Sequence, residues 1–181
     1  MRGRMAARSV AVLLLAVLLA AGPSSAAAAW LKFVHPKLGF SFSYPSGWAI
    51  APPIHGIEVM VIGPEPAGVS GVRLNVNVTS EALPPGVSVD AYETANESQL
   101  QLLFHGYKRL RTDRTKAGGH AALLRYFTWQ RNDGVELYQM QLVTVADAQG
   151  YVVTGTTATS SAKLADDAQL LANILASFRP R

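Results

Sequence analysis

Two long strand-forming runs, residues 121–130 and 135–145, joined across Asn132-Asp133-Gly134, constrain the fold more than any other feature. Asp-Gly between such runs favours a tight antiparallel hairpin, because glycine takes the left-handed backbone that these turns need. The second run is apolar on both parities, with Tyr138, Met140 and Leu142 on one and Leu137, Val143 and Val145 on the other. A strand with one wet face alternates, whereas a strand apolar on both faces is covered on both. A further turn at Asp147-Ala148-Gln149-Gly150 leads into the run 151–158, so residues 121–158 are expected to form a three-stranded meander.

Other segments supply more strands and the cover. Phe40, Phe42 and Tyr44 alternate with Ser41 and Ser43, and Leu74, Val76 and Val78 alternate with Arg73, Asn75, Asn77 and Thr79, each marking a half-buried strand. Ser88 is placed to cap a helix running to about Phe104, with Asp90 and Glu93 near its positive end and Tyr92, Leu100 and Leu103 near one face. A second helix follows Ser161, its candidate cap. There Leu164, Ala168, Leu171, Leu175 and Phe178 form an apolar stripe, Asp166 and Asp167 face away, and Arg179-Pro180 ends it. Pro52-Pro53, Gly63-Pro64-Glu65-Pro66 and Leu83-Pro84-Pro85-Gly86 read as loops. The expected fold class is α+β, an antiparallel β-sheet flanked by helices on both faces.

Residues 1–29 read as a cleavable signal peptide, and residues 30–181 as a single domain. Arg2, Arg4 and Arg8 precede an apolar run over 10–21, the pair Gly22-Pro23 and a small-residue stretch suited to cleavage after Ala27 or Ala29. Twelve apolar residues rise only ~18 Å as a helix, short of a ~30 Å hydrocarbon core. The chain has no cysteine to carry a lipid or form a disulfide, and its leader arginines are not adjacent. The expected product is a soluble periplasmic or extracellular protein held by its core. Of 16 basic residues, three lie in the leader, leaving 13 against 12 acidic ones and a net charge of +1. A nucleic-acid binder is therefore not expected.

The stretch Leu38-Gly39-Phe40-Ser41-Phe42-Ser43-Tyr44-Pro45-Ser46-Gly47-Trp48 resembles the opening of PsbP-like and DcrB-like proteins. Ala117-Gly118-Gly119-His120-Ala121 and the closing Ile174-Leu175-Ala176-Ser177-Phe178-Arg179 are similar to later parts of the same superfamily. The resemblance implies a PsbP-like α/β/α sandwich and an accessory or binding role, often in an exported protein. One branch supports the oxygen-evolving photosystem, which makes that role an alternative in a photosynthetic host. No photosynthetic metal or cofactor site can be carried over onto residues here.

Candidate chemistry is sparse, and no catalytic residue or cofactor is expected. Gly68-Val69-Ser70-Gly71 lacks the spacing and the strand-helix elbow of a nucleophile motif. Gly118-Gly119 leads into a strand and suits a turn, not a phosphate cradle. His35, His55, His105 and His120 are scattered, and only His55 and Glu58 lie close enough in sequence to be weak pocket or metal candidates. Trp48, Phe40, Phe42 and Tyr44 fit a core better than a ligand pocket.

The basic run Lys108, Arg109, Arg111, Arg114 and Lys116 is the strongest functional hint, opposed locally only by Asp113. As a regular strand it would send Lys108, Arg114 and Lys116 to one face and Arg109, Arg111 and Asp113 to the other. It is read either as an edge strand guarded by charge or as an anionic docking surface. Two functions are weighed: a non-catalytic accessory protein binding another envelope or secreted protein, and a small-ligand carrier or enzyme with a site built from dispersed residues.

Overall fold

A computed structural model describes residues 29–181, so the leader expected over residues 1–29 lies outside the described residues except for Ala29. The described chain runs β1 (Trp30–Val34), β2 (Ser41–Pro45), β3 (Ala49–Ile50), β4 (Val59–Ile62), β5 (Asn75–Ala82), α1 (Val89–Leu103), β6 (Lys108–Ala117), β7 (His120–Gln130), β8 (Glu136–Ala146), β9 (Gln149–Ala158) and α2 (Leu164–Ala176). Seven strands form one sheet in the order β3-β4-β5-β9-β8-β7-β6, and β1 pairs with β2 as a separate hairpin. Every pairing is antiparallel.

The expected meander is present as β7, β8 and β9. Its second turn is tighter than the sequence suggests: Ala146 pairs with Gln149, leaving only Asp147 and Ala148 at the bend. Both take positive φ, 47° and 58°, as a two-residue hairpin twisted to match its strands requires. Gly118 and Gly119 also adopt positive φ at the β6–β7 turn. Three short strands, β1, β3 and β4, carry no alternation long enough to have stood out.

Cross-strand register divides the sheet into two unlike faces. On one, Met140, Leu142, Val153, Val76, Val78 and Val61 are buried with Leu171, Ile174 and Leu175 of α2. Phe40, Phe42 and Tyr44 of the β1–β2 segment join the same cluster with Trp48 and Phe178, so these aromatics are core. Burying each such side chain contributes about 1.5–3 kcal/mol, and most of that stabilisation lies on this side of the sheet.

The other face carries α1 and is far more polar. Tyr92 packs with Val143 and Val152. Its neighbours under the helix are Arg125, Gln139, Gln141, Thr154 and Thr156, all buried. Gln139 donates to Thr156 at 2.8 Å and Gln141 to Thr154 at 3.1 Å, so the sheet surface satisfies part of its own polarity. Helices on both faces of an antiparallel sheet give the α+β class expected.

Both helices differ in detail from the sequence reading. Ser88 caps α1, accepting from the Ala91 backbone N–H at 3.2 Å. The helix does not bury Leu103, which is 74% exposed; it turns Tyr92, Glu93 and Glu97 inward instead. The polar sheet beneath explains this, because it offers charged partners rather than an apolar floor. Ser161 stands three residues before α2 and is not its cap; its hydroxyl accepts from Lys163 N–H and donates to Asp167 at 2.6 Å. Asp167 therefore folds back toward the chain, while Asp166 faces out as expected.

Candidate functional site

The basic strand is β6, at one end of the sheet, and an irregularity changes which way its charges point. Arg109 pairs with Phe127 and Arg111 with Tyr126, so Leu110 is an extra residue with no partner. A bulge of this kind reverses the inside-outside alternation beyond it. Arg109 thus shares a face with Arg114 and Lys116, while Lys108 joins Arg111 and Asp113, which corrects the regular-strand expectation.

That face lies toward α1, where Asp90, Glu93 and Glu97 recur at i, i+3 and i+7 along one side of the helix. Arg114 reaches Asp90 at 2.8 Å and Arg109 reaches Glu97 at 2.6 Å. Between them, Arg125 of β7 is fully buried, donates to Glu93 at 2.9 Å and to the Gln141 side-chain oxygen at 2.7 Å. Its Nε has no partner. Tyr107 donates to Glu97 at 3.0 Å, and burial first, then that hydrogen bond, pushes its phenol above the usual range. Much of the apparent anion-binding surface therefore clamps the protein's own helix. The acidic stripe was readable in the sequence, but its partners were not.

The other weak candidates separate. His55 is exposed and makes no salt bridge with Glu58, although the two are three residues apart in sequence. Glu58 instead faces His35, with Nε2 3.5 Å from Oε2. Ring placement is fixed locally: His35 Nδ1 accepts from Leu38 N–H at 3.0 Å and Lys37 N–H at 3.3 Å, and the imidazole stacks on Phe40 at 4.8 Å. Nδ1 must be bare to accept, so the neutral ring carries its proton on Nε2, toward the carboxylate. Ser80 completes the chain, donating to Glu58 Oε1 at 2.8 Å. No signal links His35 to Glu58 in sequence, since β2 and β3 lie between them.

This His–Glu pair edges a cavity of about 220 Å³ between the β1–β2 hairpin and the β3–β4 edge. Its remaining wall is apolar and stiff, formed by Phe33, Ile50, Pro52, Pro53, Ile54 and Ile57. The order Ser80–Glu58–His35 does not suit acyl transfer, where the imidazole must sit between hydroxyl and carboxylate. With Nδ1 engaged by backbone, His35 has no second nitrogen for that relay. Among the described residues, no three His, Cys, Asp or Glu side chains gather to hold a metal. None of the described helices is long and apolar enough to cross a membrane.

A seven-stranded antiparallel sheet with a helix on each face and an aromatic hairpin closing one of them defines a PsbP-like α+β protein. The chain belongs to the DcrB family, whose model matches residues 61–177. No curated protein matches the sequence. Among solved structures it is similar to cyanobacterial PsbP (CyanoP) from Synechocystis sp. PCC 6803, at 15% identity and TM-score 0.62, over 90% of this chain and 99% of that one. LpqN, involved in cell envelope biogenesis of Mycobacterium tuberculosis, gives 12% identity and TM-score 0.58 over 84% and 91%. The Saccharomyces cerevisiae Ran-binding protein Mog1p gives 9% identity and TM-score 0.59 over 85% and 96%. At these identities the likenesses speak for the fold alone.

Proposed function

We propose that this chain is an exported, non-catalytic accessory protein of the cell envelope, which receives an apolar side chain of a protein partner in the His35–Glu58 cavity. The observation that carries the reading is the cavity itself: about 220 Å³, stiff-walled, with Ile50 and Ile54 at 51% and 44% exposure on its lining. Cavities for carried ligands run about 300–1,000 Å³, so the volume favours a side chain over a transported molecule. Exposed isoleucines around it offer the contiguous apolar patch that a protein interface uses. His35 and Glu58 would then orient a polar atom at the edge of an otherwise apolar contact. Export is supported by the leader over residues 1–29, and an envelope role by the likeness to LpqN. The likeness to CyanoP adds no photosynthetic role.

Photo-crosslinking from position 54, in the full chain expressed in its own host, tests this. The expected result is a discrete adduct with one envelope protein, lost when Ile57→Trp fills the cavity and kept when distant Leu102→Trp is made. Loss of neither, or a melting shift with small apolar compounds and no adduct, would favour the carrier reading. N-terminal sequencing of the exported product checks the leader, with Trp30 or Ala28 as the expected first residue.

A further inference from the structure

Arg111 is the one member of the basic strand that turns away from α1 with its guanidinium anchored in place. Its carbon ζ lies 4.1 Å from the centroid of the Tyr126 ring, and its Nε contacts Asp113 Oδ2 at 3.1 Å. Stacking and the Nε contact fix the plane of the fork and its two terminal nitrogens, with the Tyr126 phenol alongside. The side chain is 63% exposed, so those nitrogens are open to a ligand.

They overhang a cavity of about 180 Å³ between the sheet and α2. Met140 is the buried floor, and Ala168 and Ala172 of α2 leave room opposite it. Tyr126 and Tyr138 both line the space. Burial raises the Tyr138 phenol above its ordinary range, the Tyr126 phenol adds to this, and the Arg111 charge opposes it. The Tyr138 hydroxyl is thus a proton donor at neutral pH.

The geometry points to a binding site for a short carboxylate, with Arg111 gripping the charged end and Tyr126, Tyr138 and Met140 receiving an apolar or aromatic remainder. Planar fork and planar carboxylate match in a two-point contact. A phosphate dianion suits the site less, because Asp113 already offsets part of the single anchored cation. The volume is below the usual range for drug-sized ligands and fits a group about the size of benzoate. This site lies on β6–β8 and α2, apart from the His35–Glu58 cavity, so the two readings stand or fall separately.

The carboxylate has two sources, a free acid or the C-terminus of a peptide. Titrating the purified protein with benzoate, benzamide, N-acetylphenylalanine, its amide and inorganic phosphate, followed by amide NMR shifts at Ala168 and Ala172, separates them. Saturable shifts with benzoate alone assign a free acid; shifts with N-acetylphenylalanine but not its amide assign a chain terminus. Arg111→Gln should weaken either about tenfold or more, and Tyr138→Phe by less, with melting temperature unchanged. Equal response to benzamide, tighter binding of phosphate, unaltered affinity in Arg111→Gln, or no saturable shift with any acid overturns the assignment.

Discussion

Glu93 and Arg125 meet at 2.9 Å in the seam between α1 and the sheet, with side chains 8% and 0% exposed. A guanidinium this far from water is tolerable only with its carboxylate in place. Glu93→Ala should therefore destabilise the protein by about 3–5 kcal/mol in urea unfolding. Glu93→Leu combined with Arg125→Met removes both charges and should cost much less. A Glu93→Ala penalty below about 1 kcal/mol would show that the pair behaves as an exposed one.

Gly150 lies beneath the ring of Tyr92, and a methyl group there would stand 2.5 Å from the Tyr92 Cζ. Gly150→Ala should cost about 1–3 kcal/mol by forcing α1 outward. Making the same change in a Tyr92→Ala background should cost clearly less, so a double-mutant cycle in denaturant reads the contact directly. Additive penalties would mean that the ring moves aside freely.

Ala148 sits at φ 58° in the β8–β9 turn, where a side chain is strained. Ala148→Gly should raise stability by about 0.5–1 kcal/mol, the relief of strain outweighing glycine's added freedom in the unfolded chain. The melting temperature should rise, and a fall would place the strain elsewhere.

Alkaline pH should unfold the protein through Tyr92 and Tyr107. Burial raises both phenols first; the nearby Glu81 carboxylate adds to the effect at Tyr92, and the Glu97 hydrogen bond at Tyr107. Between the unfolded phenol's value near 10 and the raised folded values, the unfolded state loses its protons before the native state does. Stability is then complete below about pH 10 and falls as pH climbs toward the folded values. Melting temperatures across this range should decline less steeply in Tyr107→Phe. Tyrosinate absorbance rising as one step near pH 10, with no loss of stability, would contradict the shifts.

Much of the architecture was legible because it rests on local chemistry. The Asp133-Gly134 turn, the double-sided apolarity of β8 and the Ser88 cap each act within a few residues. The misreadings came where distant partners decide. Leu103 looked like part of an apolar face, but Arg125 draws Glu93 inward, and Tyr107 and Arg109 draw Glu97, in its place. The bulge at Leu110 leaves no mark in the spacing of charges, yet it sends Arg109 to α1. His35 finds Glu58 only because the β1–β2 hairpin folds back toward the β3–β4 edge, which no local pattern encodes.

Strand order has a consequence for how the chain reaches this state. The meander β6 to β9 closes through short turns, but Ala82 of β5 must find Gln149 of β9 across everything between. Local pairings form quickly and such distant closures slowly. On a ribosome, β5 would emerge long before its inner partner exists, leaving one edge of an apolar strand open. Commitment to the native topology therefore waits for β9, and truncation before it should leave a species prone to self-association.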